Sequence, residues 1–112
     1  MANKNQPIGY AEDSQIEAWK SQHNLKRVHE ILTTDDEGNE HVTYSRKPNL
    51  EMLQMLADHA KKNQEFKGLQ VMFNTLRLGG SEEVLKDDEM KLAAVGAVGK
   101  LFRKQEAKVK KR

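Results

Sequence analysis

The chain has 112 residues, 37% of them hydrophobic and 32% charged, with a formal net charge of +2 and no cysteine. That length holds one domain with a modest core, and the lack of cysteine excludes disulfides, thiol catalysis and cysteine-ligated zinc. No apolar run approaches a membrane span, and the polar stretch Met1–Tyr10 has no apolar signal core, so a cytoplasmic protein without a membrane partner is expected.

Residues 1–11 show no periodicity and are expected to be a flexible N-terminus, followed by one small globular domain over 12–103 and a basic tail over 104–112. Ser14 followed by Glu17 fits a capping box, and Ile16 and Trp19 then share a face, which predicts a short helix from about Gln15 to Gln22. Trp19 reads as the anchor of that helix in the core, the alternative being an exposed hot spot for a partner. Lys26–Thr33 reads as a strand with β-branched Val28, Ile31 and Thr33. Asp35-Asp36-Glu37-Gly38-Asn39 is a turn cluster with glycine where a positive φ is needed. Glu40–Arg46 then alternates, Val42 and Tyr44 one way and His41, Thr43 and Ser45 the other, so the two strands form a β-hairpin. The acidic turn lacks the ligand spacing and closing Glu of a calcium loop and is read as a turn.

Pro48 ends the strand and Asn49 is placed to cap a helix. Leu50, Leu53, Leu56, Ala57 and Ala60 form its apolar stripe, widened by Met52 and Met55. Lys61-Lys62-Asn63-Gln64 breaks the pattern, and Asn63 is read as the cap of a second helix with Phe66, Leu69, Gln70, Phe73 and Leu76 on one face and Met72 beside it. Leu78-Gly79-Gly80 reads as the stop of that helix. Ser81 is read as the cap of a short turn that contains Val84, and Asp87 or Asp88 as the cap of a last helix. Its stripe is Leu92, Val95, Val98 or Gly99, and Leu101-Phe102. Gly96 and Gly99 each cost about 1 kcal/mol against alanine inside a helix. Close packing within the fold or a partner helix lying on them would account for that cost. The fold expected is α+β and mostly helical: an N-terminal helix, a β-hairpin, then three to four packed helices.

A search for chemistry finds no reactive motif. None of His23, His29, His41 and His59 pairs with another ligand at metal-binding helical spacing. His29 and His41 are placed to face each other across the hairpin, with ordinary strand surface as the plainer reading. Ser14, Ser21, Ser45 and Ser81 lie outside any nucleophile-elbow sequence, and Gly79-Gly80-Ser81 lacks the lysine and spacing of a phosphate loop. The acids at Glu82-Glu83 and Asp87-Asp88-Glu89 suit helix starts, where the dipole lowers a carboxylate's pKa and so opposes a general acid's role. A protein that is not an enzyme and needs no cofactor or metal is expected.

The charge is uneven: +6 from Lys100 onward and −4 over residues 1–99. A basic tail of Lys104, Lys108, Lys110, Lys111 and Arg112 suits phosphate contacts and equally a solvated helix end, where lysines complement the macrodipole. No helix-turn-helix or ribonucleoprotein motif accompanies it.

From Val42 to Leu101 the chain resembles small phage proteins of the tail assembly chaperone type. The resemblance rests on Tyr44-x-Arg46-Lys47-Pro48, Leu50 with a helix behind it, Leu76-x-Leu78-Gly79-Gly80-x-Glu82-Glu83, and Asp87-Asp88-Glu89 before Leu92-Ala93-Ala94. It implies a small, largely helical, non-enzymatic protein in the host cytoplasm that binds a tape-measure or tail-tube protein before tail polymerisation. On this reading an apolar groove between residues 50–77 and 88–103 holds the client, with Met52, Met55, Met72, Phe73, Val95 and Phe102 as the contact residues. The alternatives are a small nucleic-acid-associated protein using the basic tail, and a self-associating virion subunit.

Overall fold

The computed structural model describes residues 6–103 and 107–112. Along them run helix α1 (Asp13–His23), strands β1 (His29–Thr34) and β2 (Glu40–Ser45), helices α2 (Leu50–Lys61) and α3 (Glu65–Leu76), strand β3 (Arg77–Gly80), the single turn α4 (Glu83–Lys86) and helix α5 (Asp88–Arg103). The fold is α+β and mostly helical, with the expected hairpin and one strand beyond it. Among the described residues, no helix is long and apolar enough to cross a membrane.

The hairpin follows from its turn. Asp35 Oδ1 accepts the backbone N–H of Glu37 and of Asn39, each at 2.9 Å, and Gly38 takes the positive φ, 86°, that the reversal needs. The register then sets Thr34 opposite Glu40 and His29 opposite Ser45.

The third strand is the main departure from the sequence reading. Helix α3 does stop at Leu76, but Leu78-Gly79-Gly80 continues as part of β3, antiparallel to β2, with Gly79 opposite Tyr44 and Gly80 opposite Thr43. The glycines are there for proximity. A Cβ on Gly79 would stand 2.7 Å from Trp19 Cζ2, and one on Gly80, whose φ is 120°, would clash with the Val42 carbonyl oxygen. Beyond the end of β3 the chain's own N-terminal segment takes over. Ile8 N–H donates to Glu40 O and Val42 N–H to Ile8 O, a parallel bridge alongside His41. Residues 7–11 are therefore held on the sheet, which corrects their expected looseness; residues 1–5 lie outside the described residues.

Strand β2 is covered on both faces. One face presents Val42 and Tyr44, both buried. Trp19 packs there on Tyr44 with ring centroids 5.3 Å apart, and Ala11 N–H donates to the Tyr44 hydroxyl at 2.9 Å. Burial, the larger effect, pushes the Tyr44 pKa up against that hydrogen bond. Trp19 is thus the anchor of α1, a helix with no fully buried residue. The helix begins at Asp13 with no side-chain cap, so the Ser14 capping box is not formed.

The other face carries Ile31, Thr33, His41, Thr43 and Ser45, all buried. Ile31 joins the main core there with Leu56, with Met72, Phe73 and Leu76 of α3, with Val84, and with Met90, Ala94, Val95 and Val98 of α5. Asn49 caps α2 through Met52 N–H and Asp87 caps α5 through Met90 N–H, both as expected. Asn63 is no cap: it sits in the α2–α3 turn at φ 60°. The expected stripes are not wholly buried in any of the three helices. Leu50, Ala57 and Ala60 of α2 are exposed, as are Phe66 of α3 and Leu92 of α5. The chain is too short for each helix to be wrapped on its whole apolar arc, so one flank of each stripe is left outside.

Thr33 Oγ1 and Thr43 Oγ1 lie in the sheet–helix layer without a hydrogen-bond partner. A buried hydroxyl in that state costs about 1–3 kcal/mol. Thr43→Val keeps the shape and removes the polar atom, so it is expected to raise the stability by about 1 kcal/mol, read as a higher urea midpoint at unchanged slope. A lower midpoint would place a bridging water at that hydroxyl.

Candidate metal centre

Among the described residues, the buried polar side chain with partners at the most points is His41. Strand alternation turns its ring toward the helices, opposite Thr33 and not His29, and leaves it fully buried. This corrects both sequence readings, the facing histidine pair and the strand-surface histidine. Its two ring nitrogens have different partners. Nδ1 lies 2.8 Å from Ser81 Oγ, just after β3. Nε2 lies 2.9 Å from Asp35 Oδ2 in the hairpin turn and 3.8 Å from Glu83 Oε2 at the start of α4.

The His41 hydrogen bond is the largest of the influences that lower the Asp35 pKa to about 2, and the backbone N–H groups of Asn39 and Glu37 add to it. Asp35 is therefore a carboxylate that only accepts. In the neutral ring Nε2–H donates to Asp35 and Nδ1 accepts from the Ser81 hydroxyl; in the imidazolium both nitrogens donate.

Ser81, His41 and Asp35 are the residue types of a hydrolytic triad, but their access is inverted. In a working triad the serine faces the substrate and the acid is buried behind the imidazole. Here Ser81 is 3% exposed and His41 0%, while the Asp35 side chain, 17% exposed, is nearer the surface. The arrangement offers a carboxylate to the outside, with the imidazole buried behind it, and no nucleophile. The cleft that Asp35 borders is lined by Asp35, Asp36, Glu37, Glu83, Lys86, Asp87 and Met90, five carboxylates against one ammonium.

The contact residues expected from the sequence fall mostly inside the fold. Met72, Phe73 and Val95 are fully buried core, and Met52 and Met55 are half-buried against it. The helices of residues 50–77 and 88–103 close on these side chains, because a small core needs every large apolar group it has; the expected groove at those positions is filled by the chain itself. The Phe102 side chain and Lys104 lie outside the described residues. Lys108, Lys110, Lys111 and Arg112 are exposed and outside any helix or strand.

Two groupings escaped the sequence. The first is Asp35–His41–Glu83, whose members are 48 residues apart at the extremes and meet only through β3. The second is a basic concavity lined by Asn24, Leu25, Lys26, Arg27, His29, Lys47 and Leu101. The alternation of β2 was a usable signal for a buried His41; nothing local pointed to Glu83. Compared with known proteins, the chain matches no family model, no curated protein and no solved structure.

The Asp35 shift has a pH signature. A carboxylate depressed from 3.8 to about 2 contributes stability above the unfolded value and loses it as pH falls through the folded one. Asp35→Asn preserves the turn's acceptor oxygen but removes the charge. The stability difference between wild type and variant is expected to be full near neutral pH and to vanish between pH 3.8 and about 2. Denaturant titrations across that range check it, and a pH-independent difference would count against a role for the Asp35 charge.

Proposed function

We propose that the protein is a non-enzymatic adaptor or assembly chaperone of phage or prophage origin, which holds a helical or apolar segment of a tail protein in the host cytoplasm. The tape-measure and tail-tube proteins are the expected clients. The resemblance over Val42–Leu101 supports the class, and one structural observation supports the mode of binding. On the outer face of α5, Leu92 is 57% exposed beside exposed Ala93 and Gly96, and a Cβ added at Gly96 would meet nothing within 4 Å.

Gly99 faces inward, where its Cβ position is 3.4 Å from Leu69, so tight packing accounts for one of the two helix glycines and not for the other. An exposed glycine weakens a helix by about 1 kcal/mol and permits another backbone to approach closely. A client helix laid across Leu92, Ala93 and Gly96 makes use of both the flat surface and the apolar side chain beside it. Met72, Phe73 and Val95 then support this face from within, and binding leaves the core closed.

The concavity of Lys26, Arg27 and Lys47 favours a second reading. It includes Leu101, three positions before the basic tail begins at Lys104. A nucleic-acid-associated protein would use both, with affinity falling steeply with salt. Removal of residues 104–112 would then abolish the salt-sensitive binding, and its persistence would exclude the tail. A self-associating virion subunit, the remaining possibility, is distinguished by a measured mass in solution.

Two variants test the leading reading. Gly96→Ala is expected to stabilise the free protein by about 1 kcal/mol, since the site is open. Leu92→Asp is expected to leave the circular dichroism unchanged and to abolish co-purification with co-expressed tape-measure or tail-tube protein. Retained capture by the Leu92→Asp variant would remove the α5 face from the mechanism.

A further inference from the structure

At the cleft between the β1–β2 turn and α4, donors from three parts of the chain meet, two lining it and one buried directly behind. Asp35 comes from the turn, His41 from β2 and Glu83 from the first position of α4, and one ligand atom of each lies within 4.8 Å of the others. We propose that Asp35, His41 and Glu83 bind a divalent first-row transition-metal ion, zinc being the reference case, with water completing the coordination.

The spacing suits one ion. Donors about 2.1 Å from a tetrahedral zinc stand about 3.4 Å apart. The distances from His41 Nε2 to Asp35 Oδ2 and to Glu83 Oε2 are 2.9 and 3.8 Å, on either side of that value. Two of the donors are held in advance. Asp35 is fixed by the N–H groups of Glu37 and Asn39 on its other oxygen, and His41 is fixed by burial and by Ser81. Glu83, with its side chain 67% exposed, is the arm that adjusts.

The imidazole separates this set from a patch of surface acids. Its ring is fully buried, with Nε2 facing two carboxylates, and Ser81 Oγ stands at its far nitrogen, the position where metal-bound histidines carry an orienting acceptor. Binding replaces the Nε2 proton with the ion. The ring then carries its proton on Nδ1 and donates it to Ser81 Oγ, so both nitrogens stay satisfied. One neutral imidazole and two carboxylates balance a dication. The surrounding Asp36, Glu37 and Asp87 against Lys86 add an attractive field. Nitrogen ligation selects zinc and its first-row neighbours over calcium and magnesium, which prefer all-oxygen sites. The proposal is independent of the α5 docking face.

The test uses the full chain stripped with a chelator and titrated with zinc chloride in a calorimeter, with cobalt(II) as a visible probe. Because His41 is central to the fold, the variant is the exposed Glu83→Gln, with Glu89→Gln as a charge-matched control at the start of α5. Wild type and control are expected to bind one ion with equal affinity and to give cobalt ligand-field bands. Glu83→Gln is expected to lose about tenfold or more in affinity while keeping the wild-type circular dichroism. No saturable binding, an equal loss in both variants, or calcium binding as tightly as zinc would overturn the proposal. The last result would leave a carboxylate patch in which His41 has no part as a ligand.

Discussion

Everything else in this molecule is arranged around a single strand with no exposed face. From His41 to Ser45, β2 is buried residue by residue, flanked by β1 on one side and by β3 with Ile8 on the other. A strand covered on both faces in a chain of 112 residues requires two separate coverings, and the chain supplies them unequally. The helical core of α3 and α5 does the larger share on one face. On the other, the N-terminal segment and a helix with no fully buried residue are held by the Trp19–Tyr44 contact. Burial of the polar alternates His41, Thr43 and Ser45 is the consequence, since alternation leaves no choice about which face they join.

That consequence is unevenly compensated. Thr43 keeps an unpaired hydroxyl, Ser45 turns back to the carbonyl of Arg46, and His41 is satisfied at both nitrogens by side chains from outside its strand. The His41 network therefore ties together the hairpin turn and the segment after β3, two places where the backbone is reversing. It gives the sheet a lock at one end, and the same lock sets a buried ring nitrogen behind two carboxylates that line a cleft. Structural and ligand-binding roles are compatible here, because an ion would take the place of the Nε2 proton that now holds Asp35.

Helix α5 has two charged ends. Asp87, Asp88 and Glu89 stand at its start, close to the acidic cleft, and Leu101 near its end borders the basic concavity of Lys26, Arg27 and Lys47. The order agrees with the helix macrodipole, which favours acids at the start and cations at the end. Between the ends, the inner side of α5 is core and the outer side carries Leu92, Ala93 and Gly96. A docking helix would meet an apolar strip between zones of opposite sign, an arrangement that sets direction as well as position.

Local chemistry in the sequence was enough to define the hairpin, the Asp35–Asn39 turn, the Asn49 and Asp87 caps and the α+β class, because each depends on residues within a few positions of one another. It was also enough to identify Trp19 as an anchor, though not what it anchors to. What required the tertiary structure was anything decided by a neighbour distant in sequence. Gly79-Gly80 is a helix stop by composition and a strand by contact, since the space its missing side chains leave is taken by Trp19 and Val42. Ala57, Ala60 and Leu92 were on apolar stripes by periodicity and outside by packing, since periodicity gives the arc of a helix but not how much of it a small core covers. Met72, Phe73 and Val95 were read as a surface for a client and are the core, since a sequence of this length shows that it has few large apolar groups and not where they are used. Asp35, His41 and Glu83 share no local pattern at all. They meet because β3 returns the chain to β2, and a pairing between distant segments is a property of the fold and of no shorter piece of it.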